Sequence, residues 1–289
     1  MTTPRVVAIG GGHGLATVLE ALVDQCGELT AVVSVADDGG SSGRLRRELG
    51  IIAPGDMRRC LAALTPPGLV RDALEHRFTA GTLSGHPAGN ILLASMLELA
   101  DDPVVVMDTL VQMVGARGRI LPATQGRVDL LATAERGMVR GQVAVSESAA
   151  IERLRFNPED PAVPLDVGVA IGAADLVIVG PGSLYTSVLA AAVPGVRRAI
   201  EASRALVVYV ANLGAEAGET TGYELADHVA AVRRHGIEPD VVLAGNDARV
   251  PEELYGSVRQ IDLVGPSAGL HDATKLAAAL SNLLTGVPS

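Results

Sequence analysis

Aromatic residues and cysteines are scarce in this chain. Its 289 residues include no tryptophan, and aromatic residues make up only 2% although 48% of the residues are hydrophobic. The core must therefore consist mainly of valine, leucine, alanine and isoleucine, which is typical of a parallel sheet covered by helices. The two cysteines, Cys26 and Cys60, are too few for a disulfide framework and lack the spacing of metal ligands. We expect buried thiols in a reducing compartment and no metal site.

Lysine and long apolar runs are nearly absent as well. Lys275 is the only lysine, which excludes the lysine of a phosphate-binding P-loop near the N-terminus. A formal net charge of -10 argues against non-specific binding to nucleic acid, which needs a basic surface. No apolar run reaches membrane-spanning length, and no signal-peptide pattern precedes the first predicted strand. We therefore expect a cytoplasmic protein with no nucleic-acid partner and no membrane insertion.

A polar tract follows the valine-rich run at residues 32–35, which predicts a buried strand because valine is β-branched and a turn signal follows. Two serines in the tract are candidate caps for a helix that begins near Arg44. Free amides at a helix start, with arginines behind them, indicate an anion site. Carboxylates beside such a site suggest a metal, a sugar hydroxyl or a proton acceptor, and a tight turn with solvated acids is the alternative. The candidate ligand residues here are Asp37, Asp38, Gly39, Gly40, Ser41, Ser42 and Arg44.

A glycine-rich turn separates the first predicted strand, Arg5 to Ile9, from an amphipathic helix predicted from Leu15 to Gln25. This order is typical of the opening of a nucleotide-binding βαβ unit. The dinucleotide fingerprint fits imperfectly because Leu15 stands where the third glycine belongs, so the turn supports NAD binding only weakly. We expect the loop histidine to orient a ligand or the backbone rather than to catalyse. The candidate residues here are Gly10, Gly11, Gly12, His13 and Gly14.

Two further turns carry polar residues at predicted helix starts. A Pro-Gly turn precedes Asp56, a candidate helix cap, and Arg58 and Arg59 fall in the first turn of that helix. Cations there oppose the helix dipole unless they face an anion, so they are candidate ligand contacts, with a solvated first turn as the alternative. His86 and Asn90 stand at the mouth of an apolar helix and are also candidate contacts, although Asn90 is equally well explained as a structural cap.

The second half of the chain repeats this pattern. Residues 175–187 predict a buried strand, a Gly-Pro-Gly turn and a helix capped by Ser183, whose neighbouring amides would point at an anion. Strands predicted at 205–210, 240–244 and 258–264 precede a C-terminal helix of about 272–284. The candidate ligand residues here are Gly180, Gly182, Ser183, Tyr185, Thr186 and Asn212.

Residues 126–147 change character and predict a β-hairpin, with a turn at residues 135–138 and an apolar second strand at 141–146. We interpret it as an inserted antiparallel element or an oligomer contact, so we expect a homodimer. The absence of repeats and linkers predicts one α/β domain over residues 1–289. In such sheets ligands bind outside the carboxyl ends of the strands, near the topological switch point. Several polar loops at that edge indicate a phosphate-bearing, nucleotide-like ligand.

Together these motifs resemble the YvcK-type gluconeogenesis factor family, which is related to CofD, the 2-phospho-L-lactate transferase. The order of the motifs carries the resemblance over nearly the whole chain. They are Gly10–Leu15, Ser34–Arg46, Pro54–Leu64, Gly85-His86 with Gly89-Asn90, Gly180–Ser187 and Gly218–Thr220. One departure stands out: many relatives have a basic residue before the late His271-Asp272 pair, where this chain has Leu270. No ligand contact is carried over there.

The resemblance implies a Rossmann-like, three-layer α/β/α fold. It also implies a cytoplasmic regulatory protein that binds a UDP-sugar such as UDP-N-acetylglucosamine and supports cell shape and cell-wall homeostasis during gluconeogenic growth. Cell-wall regulatory proteins are then the expected partners, and no catalytic activity is attached to this branch. The Gly-Gly-Ser-Ser-Gly-Arg tract after the two aspartates favours this branch over the transferase branch.

Two functions from different classes follow. The first is a UDP-sugar-binding regulator without a required cofactor, in which the glycine loops and Ser183 hold the diphosphate and Arg44 or Arg58 pairs with it. The second is a Mg²⁺-dependent transferase of a nucleotide-activated phosphoryl or phosphoester group. In that case Asp37 and Asp38 would hold the metal or accept a proton.

Overall fold

The computed structural model describes residues 4–135, 137–214, 218–266 and 269–284. Within these ranges the strands are β1 (Arg5–Gly10), β2 (Glu28–Val33), β3 (Arg119–Pro122), β4 (Asp129–Ala134), β5 (Gly137–Arg140), β6 (Arg153–Asn157), β7 (Leu176–Val179), β8 (Leu206–Val210), β9 (Val241–Ala244) and β10 (Val258–Gln260). The helices are α1 (Gly12–Leu22), α2 (Gly40–Leu49), α3 (Gly55–Leu64), α4 (Leu69–Glu75), α5 (Ala88–Leu99), α6 (Pro103–Val114), α7 (Gln142–Ser146), α8 (Leu165–Ala173), α9 (Leu189–Ala191), α10 (Pro194–Ala202), α11 (Leu225–Arg234) and α12 (Ala273–Leu284). A π-helical turn, Leu184–Val188, leads into α9, and a 3-10 turn, Glu252–Leu254, precedes β10.

A seven-stranded sheet forms the centre, in the order β10-β9-β8-β7-β1-β2-β3. Each neighbouring pair of strands is parallel, and β1 pairs with β2 on one side and with β7 on the other. The helices that connect parallel strands cover the faces of such a sheet, which explains why β7 is buried at all four positions. The predicted α/β fold with a mainly parallel sheet is confirmed.

Small aliphatic side chains form the core, as the scarcity of aromatic residues requires. Val177, Ile178 and Val208 in the sheet are fully buried, and Leu19 of α1 packs in the same cluster. Both cysteines are free thiols, and burial raises the pKa of the Cys60 thiol far above its usual range. No helix in the described ranges is long and apolar enough to cross a membrane.

The insert is a three-stranded antiparallel sheet in the order β5-β4-β6, so it extends beyond the predicted hairpin. β4 and β5 form the expected hairpin, and Arg136, in its predicted turn, lies outside the described residues. The prediction of a strand at residues 141–146 is wrong, because Gln142–Ser146 forms the helix α7. β6, which was not predicted, adds a third strand by pairing with β4 from residue 153 onward.

Several helices begin earlier than predicted. α1 begins at Gly12 rather than Leu15, and α2 begins at Gly40 rather than near Arg44, with Gly39 at the N-cap position. In both cases glycines form the first turn, where tertiary contacts outweigh their low helix propensity. The predicted caps are therefore wrong for α2 and α3, because the two serines lie inside α2, and Pro54 rather than Asp56 caps α3.

Candidate ligand-binding site

The topological switch point lies between β1 and β7. From β1 the chain continues through β2 to β3 on one side, then returns to β7 and continues outward to β10 on the other. Connections diverge at this point, and open α/β sheets bind ligands in the crevice that results. The predicted loop Gly10–Gly14 follows β1, and the predicted loop Gly180–Ser183 follows β7. The topology therefore places the two loops side by side.

Backbone rather than side chains forms the contact between these two loops. A methyl group at Gly14 would lie 2.2 Å from the Pro181 carbonyl oxygen, so only glycine permits this approach. Gly12 has a φ of 65°, which also favours glycine. The first amides of α1 have no partner inside the helix and stand at this crevice. They can bind an anion there.

The start of the π-helical turn after β7 already holds a carboxylate of the chain itself. The Tyr185 amide donates to Oε1 of Glu219 at 2.8 Å, and Glu219 is buried. The Gly182 amide donates to Oδ1 of Asn212 at 3.0 Å. The amides that we expected to point at an external anion near Ser183 therefore have internal acceptors. Sequence reasoning missed Glu219, although it lies in one of the motifs that carried the resemblance.

Tyr185 and Thr186 serve packing in this structure. The Tyr185 side chain is fully buried, and its hydroxyl contacts the Ile151 carbonyl at 2.9 Å and the Tyr223 hydroxyl at 3.0 Å. The Thr186 carbonyl accepts a hydrogen bond from Nε2 of Gln142, which belongs to α7. Both predicted ligand residues thus fix the insert to the loop after β7.

The starts of α2 and α3 meet beside the start of α1 around two carboxylates. Oδ1 of Asp37 accepts the Gly39 amide at 2.9 Å, and a methyl group at Gly55 would lie 3.4 Å from the other Asp37 oxygen. A methyl group at Gly11 would lie 2.6 Å from Oδ2 of Asp56. Three helix N-termini, each with a partial positive charge, therefore converge on Asp37 and Asp56. The charge of Asp56 therefore acts on Asp37, whereas Asp38 is held by amides of α7.

Burial raises the pKa of Asp37, and the nearby Asp56 carboxylate raises it further. Asp56 in turn forms an ion pair with Arg59 at 2.6 Å. Partial burial and the positive charge of Arg59 lower the pKa of His13 on the neighbouring first turn of α1. His13 is therefore neutral near pH 7 and can both donate and accept a hydrogen bond.

Asp38 has a structural task. Its two carboxylate oxygens accept the Gln142 amide at 3.1 Å and the Val143 amide at 3.0 Å, so Asp38 caps α7. A methyl group at Gly141 would lie 2.2 Å from Asp38 Oδ2. Both oxygens are thus used inside the chain, which does not fit a shared metal site with Asp37.

A buried chain of hydrogen bonds runs behind α2. Arg58 pairs with Glu75, and its Nε donates to Oδ1 of Asn90 at 3.1 Å. Nδ2 of Asn90 donates to Oγ of Ser41 at 3.0 Å, and Ser41 contacts Nδ1 of His86 at 2.8 Å. Burial lowers the pKa of Arg58, and Glu75 supplies the anion that its position in the first turn of α3 requires. This network of hydrogen bonds holds Ser41 in place at the start of α2.

Arg44 and the late His271-Asp272 pair each contact another part of the fold. Arg44 donates to the Ser84 carbonyl at 3.2 Å and belongs to the side of α2 that faces the loop before α5. Nε2 of His271 lies 3.1 Å from the Ala211 carbonyl, and Asp272 accepts the Lys275 amide at 2.9 Å as the cap of α12. His271 and Asp272 are thus explained by the fold.

The carboxylates beside the crevice are candidate metal ligands. Across the described ranges, no group of three or more histidine, cysteine, aspartate and glutamate side chains is arranged to hold a metal ion. Asp37 and Asp56 fit a Mg²⁺ ion only in the mode in which one or two carboxylates act together with substrate phosphates.

Two cavities lie at opposite edges of the sheet. The larger, about 810 Å³, lies at the amino ends of β7 and β8, where Asp175 and Asp240 accept the Arg5 and Val207 amides. These two aspartates cap backbone amides. The smaller, about 210 Å³, lies at the carboxyl ends of β8 and β9, on the same edge as the glycine loops.

The family follows from a match that covers nearly the whole chain. A family model described as "2-phospho-L-lactate transferase CofD" matches residues 6–280. This chain belongs to the CofD family. Among CofD-family relatives, it is 40% identical to the gluconeogenesis factor of Bacillus subtilis, over 87% of this chain and 81% of that protein. It is 41% identical to a Deinococcus radiodurans protein that carries the same name provisionally, over 98% of this chain and 67% of the relative.

A solved crystal structure agrees with the present fold. The crystal structure of a UPF0052 family protein from Bacillus halodurans superposes with a TM-score of 0.92 at 35% identity, covering 97% of this chain and 99% of that one. The resemblance to the gluconeogenesis factor branch of the CofD family is therefore confirmed, as is the Rossmann-like architecture.

Proposed function

We propose that this protein is a regulator that binds a UDP-sugar, of the UDP-N-acetylglucosamine type, at the switch point between β1 and β7. One observation carries the proposal: the N-termini of α1, α2 and α3 converge beside the crevice, and none of them has a side-chain cap hydrogen bond, so their first amides can hold a diphosphate. The names of the relatives support a role under gluconeogenic growth. Cell morphogenesis and cell-wall homeostasis, a cytoplasmic location, a homodimer through the insert and cell-wall regulatory partners belong to the same proposal.

Calorimetry of the purified protein with UDP-N-acetylglucosamine, with and without Mg²⁺, tests this proposal. We expect tight binding that is indifferent to Mg²⁺ and leaves the nucleotide intact by mass spectrometry. His13→Glu adds a negative charge among the first amides of α1, where a carboxylate is compatible with the helix dipole. It should weaken binding at least tenfold, whereas Gln112→Glu on the exposed face of α6 should not. Equal affinities for both variants would contradict the proposed diphosphate position.

A second function has one observation in its favour. The Asp37 and Asp56 carboxylates lie near the starts of α1, α2 and α3 beside the crevice, and the matching family model is described as a transferase. The alternative is therefore a Mg²⁺-dependent transfer of a nucleotide-activated phosphoryl or phosphoester group, with Asp56 replacing Asp38 in the predicted pair. Nucleotide consumption after addition of an acceptor alcohol, lost in Asp37→Asn and Asp56→Asn but kept in Asp38→Asn, would establish it over the regulator.

A further inference from the structure

The 210 Å³ cavity at the carboxyl ends of β8 and β9 has a lining unlike that of the glycine loops. Its walls come from the loop after β8, the start of α11 and the loop after β9. They include Asn212, Tyr223, His228 and Asp247. Pockets for a whole small ligand occupy roughly 300–1,000 Å³, so this cavity accommodates one ring of a ligand whose remainder lies elsewhere.

Asn212 supplies a fixed and unused donor to this cavity. Because the Gly182 amide donates to Oδ1 of Asn212 at 3.0 Å, the orientation of the side-chain amide is determined, and Nδ2 points away from Gly182. Nδ2 is buried and has no acceptor within the described part of the chain. Buried donors in native proteins are almost always paired, so an acceptor from a ligand is the natural partner.

Two aromatic rings give the cavity a rigid wall. Tyr223 and His228 pack edge to face with their ring centres 5.6 Å apart. The Tyr223 hydroxyl contacts the Tyr185 hydroxyl at 3.0 Å and the Ile151 carbonyl at 3.2 Å, which holds its ring in place. Rigid aromatic walls with a few placed polar groups are typical of sites that bind flat rings.

The position of the cavity relates it to the switch point. β7 and β8 separate it from the end of β1, and neighbouring strands lie about 4.8 Å apart, so the cavity lies roughly 12 Å from the first amides of α1. Gly182 and Asn212 connect the two places directly. An extended nucleoside diphosphate has the length to span them, with its phosphates at α1 and its base at the cavity.

We propose that this cavity is the base subsite for a uracil ring, with Asn212 Nδ2 donating to a ring carbonyl and the Asp247 carboxylate accepting the ring N–H. This inference rests on the proposed function. Uracil offers a carbonyl next to an N–H, which matches one donor and one acceptor, and a single ring suits the volume better than a purine. Cytosine lacks that N–H and presents an amino group instead.

Calorimetry with UDP-N-acetylglucosamine, UDP, CDP and GDP tests the subsite on two variants. Asn212→Asp keeps the acceptor for the Gly182 amide and replaces the donor by a carboxylate oxygen. We expect this variant to bind UDP compounds 10- to 100-fold more weakly. Its affinity for CDP should fall much less, because the cytosine amino group can donate to the new oxygen. Asp247 is exposed, so Asp247→Asn should not disturb the fold. This variant should lower the affinity for UDP compounds about tenfold and raise the affinity for CDP relative to UDP.

Asn246→Asp is the charge-matched control, because it adds the same charge at an exposed residue outside the cavity. Unchanged UDP affinity in both Asn212→Asp and Asp247→Asn would overturn the subsite while leaving the UDP-sugar proposal intact. An equal loss of affinity for every nucleotide in these two variants, matched by the same loss in Asn246→Asp, would also overturn the subsite. If the unaltered protein binds no UDP compound, the proposed function fails and the subsite falls with it.

Discussion

Gly14 contributes to this fold through the side chain that it lacks. A methyl group there would lie 2.2 Å from a backbone oxygen of Pro181, which cannot rotate away as a side chain can. Gly14→Ala should therefore separate the loops after β1 and β7 and destabilise the protein by about 1–3 kcal/mol, the usual cost of overpacking. The urea midpoint, followed by circular dichroism, measures this loss, and UDP-sugar affinity should fall with it.

Gly172→Ala is the matched control on helix α8. Nothing lies within 4 Å of a methyl group at that position, and Gly172 is exposed. An alanine inside a helix is favoured over glycine, so this variant should gain about 0.5–1 kcal/mol. A similar loss in both variants would show that the close approach between the loops is not what requires Gly14.

Individual residue types were predictable, but their partners were not. The glycines at the strand ends could be anticipated from local spacing. That Asp37 and Asp56 both lie beside the starts of neighbouring helices, while Asp38 binds α7, depends on how α3 packs against α1 and α2, which no local pattern encodes. Glu219 was missed for the same reason, since its acceptor role for Tyr185 joins residues from different loops.

At the scale of elements, Asp38 fastens α7 to the loop after β2. Asp38→Ala removes both acceptors of the Gln142 and Val143 amides, and loss of a helix cap costs about 0.5–2 kcal/mol. Because α7 follows the hairpin directly, we expect faster hydrogen exchange over residues 137–157 while the seven-stranded sheet keeps its protection. Mass spectrometry of peptic fragments resolves the two regions.

Glu147→Gln, an exposed residue just after α7, is the control and should exchange like the unaltered protein. Faster exchange throughout the sheet in Asp38→Ala would contradict a local capping role.

Elements with strong periodicity were predictable, and short ones were not. The apolar strands of the central sheet stand out because they are buried on both faces. Val143 and Val145 in α7 fit either a strand or a helix over so short a run, and the contact with Asp38 decides in favour of the helix. β3 and β6 were missed because neither has the continuous apolar run that marks β7, β8 and β9.

For the whole molecule, the order of the strands explains why one edge collects the polar loops. Parallel strands all end at the same edge, and the reversal at β1 opens the crevice there. The sequence predicts this edge but not which loops face each other across it, because strand order is set by long-range packing. The insert lies against the same edge through α7, so ligand binding and the position of the insert are coupled in space.

A buried histidine at the end of α11 contacts the insert and makes the stability of the molecule sensitive to acid. His235 donates from Nδ1 to the Ala231 carbonyl at 2.7 Å, and its Nε2 accepts the Leu154 amide of β6 at 3.0 Å. Burial, together with the positive charge of nearby arginines, first among them Arg197, lowers the pKa of His235 to about 4. Protonation of Nε2 would break the bond to β6, so the folded protein keeps this ring neutral.

In the unfolded chain the same histidine has a pKa of about 6.5, so the unfolded state binds a proton at a higher pH than the folded state does. Stability is therefore complete above pH 6.5 and falls as the pH drops from 6.5 towards 4, by up to about 1.4 kcal/mol per pH unit. His235→Gln, whose amide oxygen can still accept the Leu154 amide, should lose about 1 kcal/mol less than the unaltered protein between pH 7.5 and 5.5. Urea titrations at both values measure the difference, with His76→Gln at an exposed histidine as control. If His235→Gln loses as much stability as the unaltered protein over this range, the connection between β6 and α11 does not contribute to acid sensitivity.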